Sequence, residues 1–245
     1  MRTVAILPVK RFPLAKQRLG ESVADSLRAD LVRAMVGDVL AALRECDAID
    51  TTIVVTREPV VASAARYIGA IVVEDSAEES QSAAASLGLT RALEEGFERA
   101  LCVPGDCPTL DPDELTELLA GETREVAIVP DRHGSGTNGL LLAPPDALSP
   151  SFGPDSRARH ERLAVQAGVA WRIERPASLL LDIDTGEDLA ALRERLAGER
   201  VRAPRTRAVL SRAPNTVQSV DTQSDDRSTD GGGAARPSAH GRPER

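Results

Sequence analysis

Aromatic side chains are nearly missing from this chain, which has one Trp, one Tyr and three Phe in 245 residues. A hydrophobic core must therefore be assembled from Ala, Val, Leu and Ile. Cysteine is scarce too: Cys46, Cys102 and Cys107 form no Cys-x-x-Cys pair and no even set, which excludes a disulfide framework and suits a reducing compartment. Long apolar runs are absent. Val4-Ala5-Ile6-Leu7 is too short for a signal-peptide core or a membrane span, and nothing later reaches spanning length, so the expected location is the cytoplasm. Net positive charge is also lacking. The balance is -8, and because residues 199–245 hold nine basic and six acidic residues, residues 1–198 carry 21 basic against 32 acidic, or -11. An acidic body of this kind is no general nucleic-acid binder. His133, His160 and His240 show no metal-ligand spacing, no Ser/His/Asp or Cys/His arrangement stands out, and no internal repeat is visible.

What is present is the composition of a globular domain, 42% hydrophobic and 28% charged, with enough chain for one α/β unit and a sizeable core. Strand and helix patterns alternate. Thr3 to Leu7 reads as a strand. Ser22 to Arg44 reads as a helix, with Leu27, Leu31, Met35, Val39 and Leu43 on one face. Further strands are expected at 51–55, 70–73, 101–103, 126–129, 140–143 and 170–173. Helices are expected at 62–67, 82–99 (stripe Leu89, Leu93, Phe97), 111–120, 157–167 and 187–196. Strands separated by helices of this length predict a mostly parallel sheet in a three-layer α/β/α domain over residues 1–198. After Gly198 the composition shifts to Ser, Asp, Gly, Pro and Arg. Residues 199–245 read as a mostly disordered tail, from about 205 onward, because too little apolar surface is available to offset ordering.

Two acidic turns each close an apolar run: Leu101-Cys102-Val103-Pro104-Gly105-Asp106 and Leu179-Leu180-Leu181-Asp182-Ile183-Asp184. Ligands of open α/β sheets bind outside the carboxyl ends of the strands, where distant carboxylates can converge on one hard cation. Mg²⁺ takes one or two carboxylates plus substrate phosphates, so Asp106, Asp182 and Asp184 suggest phosphate chemistry. Asp106 and Asp184 could equally cap the helices that follow. The first strand runs into Pro8-Val9-Lys10-Arg11-Phe12-Pro13-Leu14-Ala15-Lys16-Gln17-Arg18-Leu19, with four cations in nine residues just before a helix. That placement suits a nucleotide phosphate, with Lys10 and Lys16 better candidates than Arg11, although the Walker A spacing is missing. The glycine-rich loop Asp131–Gly139 allows close backbone approach, and Thr137 and Asn138 could hydrogen-bond a phosphate or carboxylate; a hairpin without a ligand would explain it as well. Ser156 reads as an N-cap whose helix start would suit an anion, His160 as an exposed helix position, and Cys102 as a packed strand residue.

Taken in order, Pro8-Val9-Lys10 with Ala15-Lys16-Gln17-Arg18-Leu19, Gly105-Asp106-Cys107-Pro108, Gly136-Thr137-Asn138, Phe152-Gly153-Pro154-Asp155-Ser156 and Asp182-Ile183-Asp184-Thr185 resemble the phosphoenolpyruvate/2-phospho-L-lactate guanylyltransferases of coenzyme F420 synthesis. The resemblance covers roughly residues 3–197 and implies a nucleotidyltransferase fold similar to molybdenum-cofactor guanylyltransferases. It further implies Mg²⁺ held by Asp106, Asp182 and Asp184, with Asp106 and Lys16 catalytic. Lys10, Lys16 and Arg18 would contact GTP, and Thr137, Gly153 and Ser156 the three-carbon phosphorylated acid. Phosphoenolpyruvate is the first choice of acceptor, because the Ala- and Arg-rich composition is of a bacterial kind; 2-phospho-L-lactate is the alternative. GTP and the acid are the expected partners, with neither nucleic acid nor membrane, beside a downstream coenzyme-synthesis enzyme. Where many members have a Gly-Leu-Asn-like helix start near the guanine, this chain has Ser80-Gln81-Ser82-Ala83-Ala84, which leaves the base-reading contacts unassigned. A sugar-phosphate or molybdopterin nucleotidyltransferase is the rival enzyme, disfavoured because no Gly-Gly-x-x-x-Arg loop is present. A non-catalytic nucleotide-binding module is the rival of another class, and it would need no metal triad.

Overall fold

The computed structural model describes residues 1–12, 19, 25–121, 124–198 and 201–212. Two units divide after Ala213, and the second, Pro214–Arg245, lies outside the described residues. In chain order the first unit runs β1 (Thr3–Val9), α1 (Asp25–Glu45), β2 (Thr51–Thr56), α2 (Pro59–Tyr67), β3 (Ile71–Val73), α3 (Gln81–Glu94), β4 (Arg99–Cys102) and α4 (Pro112–Leu118). It continues β5 (Glu125–Pro130), β6 (Thr137–Ala143), α5 (Ser156–Ala167), β7 (Trp171–Ile173), a 3-10 turn at Ala177–Leu179, α6 (Gly186–Leu196) and α7 (Pro204–Arg212).

The strands form one sheet in the order β3-β2-β1-β4-β6-β5-β7. All pairings are parallel except those of β6, which runs antiparallel to both β4 and β5. The short 131–136 connection causes this reversal, since a parallel crossover needs a dozen or more residues. The alternation along β1 shows how the layers are built. Ala5, Leu7 and Val9 face a core shared with Leu31, Met35, Val39 and Leu43 of α1, Leu115 of α4 and Leu189 and Leu192 of α6. Val4 and Ile6 face the other core with Ala84, Ala85 and Leu89 of α3 and Ala164 of α5. The mostly parallel three-layer α/β/α arrangement is the one expected.

Several elements differ from the sequence reading. Helix α3 stops at Glu94 and the chain turns at Glu95-Gly96 into β4, so its buried face is Ala84, Ala85, Gly88, Leu89 and Ala92, and Leu93 is exposed. Leu179–Leu181 is no strand: its first residue ends the 3-10 turn and the rest is irregular. The disorder expected from about residue 205 is not found over Pro204–Arg212, which form α7 with Thr206 and Leu210 buried. Its N-terminus is satisfied from α1: buried Asp38 accepts hydrogen bonds from the Arg205 and Thr206 amides at 3.2 and 2.8 Å. A carboxylate 167 residues away thus does what a local cap normally does.

The parallel order reverses at β1. The chain winds outward from β1 through β2 to β3, then returns to place β4 on the opposite side of β1. The crevice outside the carboxyl ends of β1 and β4 is the switch point where α/β sheets bind ligands.

Candidate active site at the switch point

A cavity of about 300 Å³ occupies that crevice, lined by Val9 and Lys10 from the end of β1, Val32, Met35 and Val36 from α1, and Pro104-Gly105-Asp106 after β4. Asp75 and Gln81 line it as well. The walls are apolar and, among the described residues, the lining carries one cation, two carboxylates and an amide, which suits a planar base with a charged tail. Asp75 is buried and follows β3 as Asp106 follows β4; the rule that picked out Asp106 could have found it. Gln81 opens α3 behind the N-cap Ser80, whose hydroxyl accepts from the Ala83 amide at 3.0 Å. The Ser80-Gln81-Ser82 start thus reaches the cavity through Gln81.

The start of the basic loop is pinned by buried hydrogen bonds. The Thr56 hydroxyl donates to the Val9 carbonyl at 2.7 Å, and Glu58 accepts from the Phe12 amide at 3.2 Å while capping α2. Lys10 remains exposed at the cavity, whereas Arg11 pairs with Glu78 at 2.7 Å. Lys16 and Arg18 lie outside the described residues.

The acidic segments are joined backbone to backbone. Ile183 N–H donates to the Asp106 carbonyl at 3.2 Å, and the Cys107 thiol donates to the Leu179 carbonyl at 3.7 Å. Gly139 of β6 permits the close approach of this segment, since a Cβ there would sit 2.8 Å from Leu179 Cδ2. Asp106 and Asp184 do not cap helices: α4 is capped by Asp111, and α6 by Thr185 in a capping box with Asp188. Asp182 feels both of the other carboxylates. Burial, then the negative charges of Asp106 and Asp184, push its carboxyl up to about 6, against the opposing hydrogen bond from Asn138. Among the described residues, however, no three His, Cys, Asp or Glu side chains are grouped closely enough to hold an ion by themselves. One Asp182 oxygen is engaged by Asn138 at 3.2 Å, and Asp184 is exposed. Carboxylate oxygens are the donor type that Mg²⁺ takes, one or two at a time, with substrate phosphates and water completing its coordination.

Asn138 spends its amide N–H groups within the fold. Its Nδ2 donates to the Leu179 and Leu180 carbonyls at 3.0 and 3.2 Å as well as to Asp182, which clamps the acidic segment onto β6. The register pairs Val129 with Gly139 and Pro130 with Thr137, so Asn138 is the extra residue of a bulge. Bulges re-aim side chains beside active sites, and periodicity does not reveal them.

The remaining expected residues cluster next to this clamp. Thr137 is buried at the start of β6 and Ser156 is buried at the first position of α5. Ser156 is not the N-cap; Asp155 holds that position in a left-handed conformation, with no side-chain cap. Gly153 has φ 106°, which only glycine adopts readily. The 151–155 loop is stapled by Arg159, which bonds the Ser151 hydroxyl and the Ser151 and Phe152 carbonyls at 3.0 to 3.1 Å. It docks on α3 through the Phe152 amide and the Ser82 hydroxyl at 2.8 Å. His160 is fully buried rather than exposed, because Ser156, His160 and Ala164 form the inward stripe of α5 at a spacing of four. Burial, then the positive charge of Arg159, lowers its pKa to about 4. Cys102 packs in β4 as expected, its thiol pushed up to about 12 by burial. No helix among the described residues is long and apolar enough to cross a membrane.

Comparison with known proteins agrees with the fold. The backbone is similar to a protein assigned as a nucleotide-diphospho-sugar transferase from Desulfovibrio desulfuricans G20, with TM-score 0.69 at 18% identity over 86% of this chain and 95% of that one. A nucleotidyl transferase from Methanothermobacter thermautotroptrophicus matches with TM-score 0.57 at 20% identity over 80% and 98%. These likenesses establish the nucleotide-diphospho-sugar transferase fold. A protein of Conexibacter woesei named phosphoenolpyruvate guanylyltransferase is 48% identical over 219 residues, covering 88% of this chain and 98% of its own length. One of the same name from Sphaerobacter thermophilus is 38% identical, covering 81% and 94%. Residues 3–204 match the family described as "Guanylyl transferase CofC like", and on that match and those relatives the chain belongs to this guanylyltransferase family.

Proposed function

We propose that this chain is a GTP-dependent guanylyltransferase that joins GMP to phosphoenolpyruvate, in the service of coenzyme F420 synthesis and in the cytoplasm. The observation that carries the reading is the meeting of two acidic segments and a cation-rimmed cavity at the β1–β4 switch point of a chain in this family. Its relatives carry the name phosphoenolpyruvate guanylyltransferase, which favours that acid over 2-phospho-L-lactate.

In this reading a phosphate oxygen of the acid attacks the α-phosphorus of GTP. The new P–O bond forms as the α–β bridge breaks, and pyrophosphate leaves with the bonding pair. The attacking oxygen is already anionic, so no general base is needed and the protein acts by positioning and charge compensation. The cavity takes the guanosine end, with Asp75 able to accept from the guanine N–H edge. Lys10, together with Lys16 and Arg18, meets the phosphates. Thr137, Gly153 and Ser156 hold the acid. Mg²⁺, bound at Asp106, Asp182 and Asp184, would supply Lewis-acid neutralisation of the triphosphate. Asn138 bonds the Asp182 carboxylate, and the Ile183–Asp106 backbone bond ties that segment to Asp106 at the cavity.

The test is to incubate the protein with GTP, Mg²⁺ and either acid and follow pyrophosphate release. Release with phosphoenolpyruvate, and little with 2-phospho-L-lactate, is expected. No release with either acid would overturn the reading, and preferential release with 2-phospho-L-lactate would change the acceptor.

A further inference from the structure

Three buried polar side chains meet where the 151–156 loop, β6 and α5 come together. His160 Nδ1 lies 3.0 Å from the Thr137 hydroxyl, and His160 Nε2 accepts from the Ser151 amide at 2.8 Å. One turn before His160 on the same face, the Ser156 hydroxyl is buried with no hydrogen-bond partner among the described residues. Phe152 closes the ring from the side, edge-on to the imidazole at 5.3 Å between centroids.

The direction of the Thr137–His160 bond follows by elimination. A backbone amide can only donate, so His160 Nε2 must carry a lone pair. In a neutral imidazole the other nitrogen then carries the proton, and Nδ1–H donates to Thr137 Oγ1. The threonine oxygen is thereby an acceptor towards His160, and its own proton has to be directed elsewhere. Among the described residues the Thr137 hydroxyl makes no second hydrogen bond. Two buried hydroxyls, Thr137 and Ser156, thus hold unspent hydrogen-bonding capacity in one place. Burying such groups unused is costly, and an anionic ligand would use them.

We propose that His160 is a positioning residue that fixes the polarity of Thr137, so that the threonine hydroxyl presents its proton to the anionic acid substrate. His160 itself does not touch the acid. The inference rests on the assignment of Thr137 to the acid site, and it adds the group that turns this hydroxyl from an ambiguous partner into a committed donor. A His160 that merely braced Ser151 to β6 would satisfy the same distances with no preference among substrates, and the test separates the two.

Two substitutions split the functions of the ring. Asn places an amide nitrogen near the Nδ1 position, keeping the donor to Thr137 and losing the acceptor for Ser151. Gln reaches the Nε2 position, keeping the acceptor and losing the donor. Pyrophosphate release is followed with GTP, Mg²⁺ and phosphoenolpyruvate for wild type, His160→Asn, His160→Gln, Thr137→Val and the His160→Gln/Thr137→Val double variant. For Thr137→Val the KM for the acid should rise roughly ten- to hundredfold, the loss of one hydrogen bond to a charged group, with the KM for GTP within about twofold. His160→Gln should show most of that rise, His160→Asn should recover most of it, and the double variant should be no worse than Thr137→Val alone. Equal acid KM values for Asn and Gln, the reverse order, or an unchanged acid KM in Thr137→Val would overturn the proposal. If the ring variants fail to fold, Thr137→Val and ¹⁵N-imidazole NMR of the wild type remain. The resonance of His160 must report an Nδ1–H tautomer, and an Nε2–H or doubly protonated ring near pH 7 would refute the argument. A wild type that releases no pyrophosphate defeats the proposed reaction instead, an outcome the NMR measurement distinguishes from failure of the hydrogen-bond assignment.

Discussion

Asp182 is the residue whose replacement should make this protein more stable and less active at once. Its carboxyl is raised from an ordinary 3.8 to about 6 by burial and by the charges of Asp106 and Asp184. A shift of that size corresponds to about 3 kcal/mol between the protonation states. Because the group is partly open to solvent, screening reduces the recoverable part to about 1–2 kcal/mol. The folded state holds this proton more tightly than the unfolded chain does. The cost of the ionised group is therefore fully present above about pH 6 and is relieved as pH falls toward 3.8. In EDTA at pH 8, Asp182→Asn should melt a few degrees higher than wild type, on the order of 3–6 °C for a domain of this size. It keeps an oxygen for Asn138, so the clamp survives. The gap should narrow on acidification, and also on adding Mg²⁺, which binds and stabilises only the wild type appreciably. In the pyrophosphate assay the same variant should lose turnover on the order of 10²–10⁴-fold, the scale of Lewis-acid support to a developing charge. Thermal unfolding by circular dichroism with and without Mg²⁺ supplies the first readout. A variant no more stable than wild type in EDTA would show that the three carboxylates do not repel one another as argued. A stabilised variant that still turns over normally would remove Asp182 from the metal site.

Three further outcomes follow from other parts of the fold. His160, held at about 4 by burial and Arg159 with Thr137, Ser151 and Phe152 around it, should destabilise the protein as pH falls from its ordinary 6.5 toward 4, by on the order of 3 kcal/mol. Urea unfolding of wild type against His160→Asn at each pH isolates this effect from the opposite one of Asp182, and a constant difference between pH 7 and 4.5 would contradict it. Asp38→Ala removes the carboxylate that accepts the Arg205 and Thr206 amides, and should cost about 1–2 kcal/mol in urea unfolding with unchanged KM values, since Asp38, Ala41, Ala42 and Glu45 flank α7 while Val32, Met35 and Val36 line the cavity. A wild-type midpoint would mean that α7 is not held by this cap. Gly88→Ala drives a methyl to 2.4 Å from Ile6 Cγ2 and 3.1 Å from Val55 Cγ2, so overpacking between α3 and the sheet should cost about 1–3 kcal/mol despite the better helix propensity of alanine. A stabilised variant would show that α3 can lift off β1 without loss.

The fold class was legible in the sequence because it rests on local physics. The apolar runs of β1, β2 and β5 and the Leu31, Met35, Val39, Leu43 stripe of α1 state their own burial through period and composition. Asp106 was legible for the same reason, as an acid directly after an apolar strand run. What the tertiary structure alone decided are contacts between residues far apart in the chain. Asp38 caps a helix 167 residues away, so the composition of the 199–245 segment could not show that α7 forms. Asp182 and Asp184 reach Asp106 through a backbone bond from an irregular segment rather than from a strand end. Asn138 is turned inward by a bulge, and His160 is buried by an α5 stripe with only one aliphatic residue, Ala164, to announce it. A propensity reports on a residue and its near neighbours. A hydrogen bond's partner, direction and burial belong to the packed molecule, and for this protein they determine which hydroxyls and carboxylates are left to meet a ligand.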